Sequence, residues 1–109
     1  MNRRPRLTYP TALVLLAVSR GLRYGFDISD ATGLPSGTVY PILRRLEDVG
    51  MLRSKWEPIQ QARAEQRPPR RYYTLTGAGA EVVAEALARF PGLDAAFTRP
   101  RRAPVPSPA

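Results

Sequence analysis

Apolar residues near the N-terminus form an almost continuous run from Ala12 to Val18. Thr8 and Pro10 precede the run and Gly21 follows it. Thr8 or Tyr9 can cap a helix, Pro is tolerated in a first turn and Gly ends helices, so the pattern predicts a buried helix over about residues 9–20. The run is too short to cross a membrane, which takes about 18–20 apolar residues.

The next two segments predict a short helix and a longer amphipathic helix. Residues 27–31 are closed by Gly33 and predict a short helix that turns Phe26 and Ile28 inward. The strongest periodic pattern in the chain then predicts a helix over about residues 35–49, because its apolar positions recur at helical spacing. These positions are Val39, Ile42, Leu43, Leu46 and Val49.

The opposite face of this third helix starts with small residues and becomes basic. It contains Pro41, and a proline inside a helix costs about 3 kcal/mol because it removes one hydrogen bond and crowds the carbonyl four residues earlier. Two interpretations stay open. Either the helix starts late, or the outward surface at Tyr40 and Pro41 compensates for the cost.

Residues 52–57 alternate between apolar or small and charged side chains, which predicts a strand. Residues 70–75 predict its partner, with Tyr73 and Leu75 facing inward. We expect Trp56 to pack at the base of this hairpin, with a place in an effector pocket as the alternative. Between the strands, residues 58–69 predict a long, mobile and positively charged loop.

Thr76 predicts the cap of a fourth helix that ends near Phe90. Its apolar side, extended by residues after Pro91, is broad for a domain of 109 residues, so we expect it to form a dimer interface. The alternative is packing on its own core alone. The expected dimer residues are Leu13, Leu16, Val83, Leu87, Phe90, Leu93 and Phe97. Four prolines predict a disordered tail over residues 98–109.

Composition narrows the function classes. The sequence has no Cys and no His. Thiol nucleophiles, histidine bases and disulfides are therefore excluded, and we expect no enzymatic activity, no cofactor and no metal site. The arginines before the apolar run resemble a secretory signal, but the run has the minimum length and Arg20 ends it. We expect a cytoplasmic protein without membrane association.

The positive charge is concentrated in parts of the chain. The net charge is +8, and residues 1–7 and 98–109 contribute three positive charges each. Residues 36–75 contain eight basic and four acidic side chains, whereas residues 76–97 contain one basic and three acidic side chains. A local excess of this kind is typical of a nucleic-acid-binding surface.

Several motifs together resemble the PadR family of transcriptional regulators over about residues 7–90. They are the Tyr-Gly-Phe-Asp-Ile sequence at residues 24–28, the segment 33–47 with its Tyr40-Pro41 pair and Leu46-Glu47 ending, Gly50-Met51-Leu52, and the Arg-Arg-Tyr-Tyr-Thr-Leu-Thr sequence at residues 70–76. One residue and one short segment depart from the family pattern. Tyr24 stands where many relatives have His, and Gly77-Ala78-Gly79 replaces residues that favour helices more strongly.

The resemblance implies a mainly α fold with a small β-hairpin, a winged helix-turn-helix in the order α-α-α-β-β-α. It also implies a homodimeric, usually repressing, regulator of double-stranded DNA, with helix 35–49 in the major groove of an inverted-repeat operator and the basic wing 53–71 beside it. The implied DNA contacts are Ser36, Thr38, Tyr40, Arg44, Arg45, Lys55, Arg63, Arg67, Arg70 and Arg71.

The implied organisation is a basic arm (1–7), a DNA-binding domain (8–75), a dimerisation helix (76–97) and the tail (98–109). Some relatives bind small-molecule effectors between subunits, and the sequence identifies none here. Two other functions are weighed against this one. A protein-interaction module would bury Arg44, Arg45 and the basic wing at high cost. A non-specific architectural binder would depend on the basic termini.

Overall fold

Six helices and a two-stranded hairpin follow one another over residues 6–98, the part of the chain that our computed structural model describes; the side chains of residues 96–98 are outside that description. The elements are α1 (Tyr9–Ser19), α2 (Gly25–Thr32), α3 (Ser36–Asp48), β1 (Leu52–Trp56), α4 (Ile59–Ala64), β2 (Arg71–Leu75), α5 (Gly77–Arg89) and α6 (Leu93–Thr98). Residues 1–5 of the predicted arm and residues 99–109 of the predicted tail lie outside the described residues.

Helix α1 lies at the centre of the fold. Every residue from Thr11 to Val18 is buried, whereas a surface helix buries only one face. The Oγ1 atom of Thr8 accepts a hydrogen bond from the backbone N–H of Thr11 at 3.3 Å, so of the two predicted caps, Thr8 and Tyr9, the helix uses Thr8. Helices α2, α3, α5 and α6 and strand β2 all pack against α1. None of the helices within residues 6–98 combines the length and hydropathy that crossing a bilayer requires.

Helices α2 and α3 form a helix-turn-helix. Gly33 ends α2 with a φ of 81°, a left-handed conformation that Gly adopts without steric cost. The Ser29 hydroxyl donates to the Leu34 carbonyl at 2.5 Å and holds the turn. Ile28 is buried as predicted, but Phe26 is 67% exposed, so its predicted inward orientation is wrong. Two residues rotate a helix by about 200°, which places these side chains on opposite faces.

Helix α3 begins at Ser36 and continues through Pro41, so the interpretation that the helix starts late is wrong. The predicted apolar face is confirmed for its first four positions, Val39, Ile42, Leu43 and Leu46, which are all buried. Gly37, whose carbonyl Pro41 crowds, is exposed and has open space where a side chain would be. The helix therefore carries its proline on the solvent side.

The hairpin is antiparallel, and its register pairs Leu52 with Leu75, Ser54 with Tyr73 and Trp56 with Arg71. Leu52 and Tyr73 are buried, and Leu75 is packed against the core. The backbone N–H of Tyr73 also donates to the carbonyl of Arg23 at 2.7 Å, which ties the hairpin to the α1–α2 connection.

The connection between the two strands contains helix α4, so the prediction of an irregular loop is wrong for residues 59–64. Ala62 of this helix is buried. The sequence contains too few apolar residues in this segment for a helical period to be visible. The wing of the fold is therefore a hairpin with a helical connection.

Residues 76–97 form two helices where one was predicted. Gly92, with a φ of 87°, separates α5 from α6, and α6 folds back onto α1 and α2. Leu13, Leu16 and Leu93 are therefore only 3%, 1% and 1% exposed within one chain. The expectation that these three leucines form a dimer surface is wrong, because they belong to the chain's own core. The side chain of Phe97 lies outside the description.

The close approach of α5 to the start of β1 predicts opposite effects for two glycines. A Cβ atom at Gly79 would overlap the carbonyl oxygen of Met51, whereas nothing lies within 4 Å of one at Gly77. We expect Gly79→Ala to destabilise the fold by about 2 kcal/mol or more. We expect Gly77→Ala to be neutral or to stabilise it by up to about 1 kcal/mol.

Urea denaturation followed by circular dichroism measures both variants. Similar free energies of unfolding for the two variants would contradict the close packing of α5 on β1.

Candidate nucleic-acid interface

The DNA contacts implied for α3 all lie on its solvent side. Tyr40 is 49% exposed, Arg44 and Arg45 are exposed, and Thr38 is half-buried. Ser36 is exposed at the first residue of the helix. Within residues 6–98 neither Arg44 nor Arg45 forms an ion pair, so both guanidinium groups are available to an anionic partner.

The start of α2 positions Tyr40. A side chain at Gly25 would overlap the Tyr40 ring, so the ring lies directly on the backbone of this buried glycine. The preceding residue, Tyr24, is half-buried. Burial, followed by the nearby Asp27 carboxylate, raises the pKa of the Tyr24 phenol above its usual value, which keeps the phenol neutral. The sequence motif at residues 24–28 included Gly25, but it did not reveal that the Tyr40 ring packs on this glycine.

A buried carboxylate organises the wing. Glu57 is 3% exposed and accepts two hydrogen bonds from the Arg67 guanidinium, at 2.6 and 2.7 Å. It also accepts from the backbone N–H of Arg70 and from the Tyr72 hydroxyl, each at 3.2 Å. These hydrogen bonds, with that from Arg67 the most important, lower the pKa of Glu57 to about 2. Sequence analysis missed this role, because the alternation in residues 52–57 puts Glu57 on the same face as Arg53 and Lys55.

Arg67 belongs to the internal structure of the wing. Besides its two bonds to Glu57, its guanidinium lies 3.1 Å from Glu65, and the side chain is 18% exposed. Hydrogen bonding to Glu57 raises the pKa of Arg67 above its usual value. The implied DNA contact by Arg67 is therefore corrected: a phosphate would have to displace a buried ion pair, which is costly to break.

The remaining wing residues are divided between the two faces of the hairpin. Arg71 lies on the inner face, where it donates to the Ser54 hydroxyl at 2.9 Å and stands 5.4 Å from the centre of the Trp56 ring. Lys55 pairs with Tyr72 on the other face, beside Arg53. Arg63 is exposed on α4.

Trp56 is 60% exposed, so the expectation that it packs at the base of the hairpin is wrong. Its strand has passed beyond the core at this position, since its cross-strand partner Arg71 is also exposed.

Residues 6–98 contain no group of three carboxylates close enough to hold a metal ion.

The sequence model of the family described as "Transcriptional regulator PadR-like family" matches residues 14–85. The chain belongs to the PadR family. The matched segment includes α2, α3 and the whole wing, so the surface described above is the part of the chain that the family shares. The PadR resemblance of the motifs and the predicted winged helix-turn-helix are confirmed.

Solved structures of PadR proteins have the same fold. A PadR family transcription regulator from Clostridium difficile R20291 is 21% identical, with a TM-score of 0.65 over 81% of this chain and 93% of that chain. A PadR family transcriptional regulator from Eggerthella lenta DSM 2243 is 34% identical, with a TM-score of 0.55 over 74% of this chain and 73% of that chain. None of the curated proteins compared with the chain matches it.

The depressed pKa of Glu57 predicts how stability depends on pH. Its native pKa of about 2 lies below its ordinary value of 4.5, so the ionised carboxylate stabilises the fold above about pH 4.5. That stabilisation is lost as the pH falls towards 2. Glu57→Gln, which removes the charge and leaves Arg67 unpaired, should therefore lower the melting temperature most at neutral pH.

Thermal melts of both proteins across this pH range measure the effect. The gap in melting temperature between wild type and Glu57→Gln should narrow between pH 4.5 and 2. Glu81→Gln, at an exposed carboxylate on α5, is the control and should show no such change. A gap for Glu57→Gln that is independent of pH would refute the buried ion pair.

Proposed function

We propose that this PadR protein is a sequence-specific repressor that binds, as a homodimer, to an inverted-repeat operator in double-stranded DNA. Membership of a family of transcriptional regulators supports the regulatory role. The observation that carries the proposal is the outward face of α3. It presents Thr38, Tyr40 and Arg44 to solvent while the opposite face anchors the helix in the core.

The chemistry of this face suits the major groove. Arg44 can donate two hydrogen bonds to a guanine edge, which is a common sequence-specific contact. The hydroxyl groups of Thr38 and Tyr40 can bond to bases or phosphates, and Ser36 and Arg45 at the margins can bond to the backbone. Tyr40 already rests on the backbone of Gly25 in the absence of DNA, which restricts the positions open to its ring. Such preorganisation lowers the entropic cost of binding.

The wing supplies contacts to the adjacent backbone. Lys55, Arg63, Arg70 and Arg71 are the basic residues that we assign to phosphates. Arg67 supports them from within, because Glu57, at the end of β1, binds both the Arg67 guanidinium and the backbone N–H of Arg70, which precedes β2. The wing therefore has fewer positive charges available to DNA than its sequence has basic residues.

An apolar patch on α5 and the start of α1 supports the dimer. Leu87 is 39% exposed, and Val83 and Phe90 share its side of the helix at a spacing of four and three residues. The Phe90 ring meets Tyr9, itself 43% exposed, with ring centres 5.7 Å apart. A second copy of the chain would cover this patch, and two-fold pairing would present two copies of α3 to an inverted repeat.

In vitro selection of random duplexes, at a salt concentration of about 150 mM, tests the proposal because this salt suppresses non-specific attraction. We expect an inverted repeat whose half-sites lie about one helical turn apart. Enrichment of no sequence, with binding that collapses as salt rises, would refute it in favour of an architectural binder.

The variant Leu87→Asp is the control for dimerisation. It should sediment as a monomer and lose the preference for paired half-sites, while its fold is retained because Leu87 is partly exposed. A variant that stays dimeric and keeps the inverted repeat would exclude this patch as the dimer interface.

A substitution on α3 should weaken specific binding without unfolding the protein. We expect Arg44→Ala to reduce operator affinity by about 1–3 kcal/mol and to relax selectivity at one base pair. Arg89→Ala removes the same charge from α5 and should cost much less. Fluorescence anisotropy of a labelled operator measures affinity, and thermal melts should show equal stability. Equal losses from both arginines would contradict a base contact by Arg44.

A further inference from the structure

Three exposed aromatic side chains surround one groove. Phe26 is 67% exposed, Trp56 is 60% exposed and Tyr40 is 49% exposed. They line a groove of about 260 Å³ between the start of α2, the outward face of α3 and the inner face of the wing. Exposed apolar surface that is gathered at one place, rather than scattered, indicates a contact site.

The same groove is positively charged. Arg70 stacks on Tyr24, with its guanidinium carbon 4.1 Å from the ring centre, and Arg71 lies over Trp56 at 5.4 Å. Neither Asp nor Glu is among the residues that line the groove. Stacking on an aromatic ring orients a guanidinium group without neutralising its charge. Outside the groove, Arg71 forms a partly exposed ion pair with Glu47 at 3.4 Å, whereas within residues 6–98 Arg70 has no ion pair.

We propose, on the basis of the function proposed above, that this groove binds the sugar–phosphate backbone of one operator strand. Trp56 and Phe26 cover the apolar face of deoxyribose, and Arg70 and Arg71 donate hydrogen bonds to the neighbouring phosphates. Tyr40 lies both in the groove and on α3, so the strand held here borders the major groove that α3 enters.

The alternation of surface types in the groove matches that of a DNA strand. A strand presents an anionic phosphate and an apolar sugar face in turn, and phosphate contacts position a protein on the duplex. The hollow on the other face of the wing lacks this alternation: it gathers Arg23, Arg53 and Lys55 around a single aromatic residue, Tyr72. If the groove attracted DNA by charge alone, it would not need exposed Trp and Phe side chains.

Trp56 is the only Trp in the sequence, so its fluorescence reports on the groove directly. Titration with the selected operator duplex should change the intensity and wavelength of its emission, while the anisotropy of a dye on the DNA records binding separately. Trp56→Ala should weaken operator binding by about tenfold, and Trp56→Phe, which keeps an aromatic ring, should recover most of the affinity. Arg70→Ala should remove about one phosphate contact, which lowers the slope of log affinity against log salt concentration by about 1.

Ile59 provides the matched control, because it is 54% exposed on α4 and does not line the groove. Ile59→Ala should bind the operator as tightly as wild type. In the Trp56→Phe protein, Ile59→Trp should give an emission that the operator leaves unchanged.

The outcomes separate this inference from the function on which it rests. Operator binding with unchanged Trp56 emission, or with wild-type affinity for Trp56→Ala, overturns the groove and leaves the regulator proposal standing. Absence of operator binding by anisotropy overturns the proposed function and the groove together. Emission changes and a tenfold loss for Trp56→Ala, with Ile59→Ala unaffected, support the groove.

Discussion

The burial of α1 on every side is the constraint on which the rest of the structure depends. A helix that is apolar all round is stable in water only when other elements cover all of it. Each fully buried Leu on α1 contributes about 1.5–3 kcal/mol, so covering Leu13, Leu15 and Leu16 favours the whole assembly of α2, α3, α5, α6 and β2. Because α3 and the wing pack around the same helix, their relative position is set by this core.

A second constraint, the buried carboxylate of Glu57, shapes the functional surface. It binds the Arg67 side chain and the backbone N–H of Arg70, so it holds both residues against the end of β1. Ionic and aromatic contacts then direct the remaining arginines: Arg70 lies on Tyr24 and Arg71 on Trp56. The basic residues counted in the sequence are thus divided between those held in internal contacts, such as Arg67, and those on the exposed surface.

The secondary structure near the core could be predicted because apolar spacing and capping residues act locally. The periodic pattern of α3, the caps at Thr8 and Thr76, and the inward face of Tyr73 were all visible in the sequence. Helix α4 and the exposure of Phe26 and Trp56 were not. Aromatic residues are buried on average, and only the tertiary structure shows that the core ends before it reaches these two side chains.

The sequence by itself determined the helix-turn-helix, the hairpin, the family and the basic outward face of α3, because each depends on residues that are close in the chain. Only the tertiary structure decided which arginines are available and which leucines are free. Arg67 meets Glu57 across ten residues, and Leu93 packs among the residues of the core around α1 from the far end of the chain. Contacts over such separations arise from packing in three dimensions, which no local pattern of residues records.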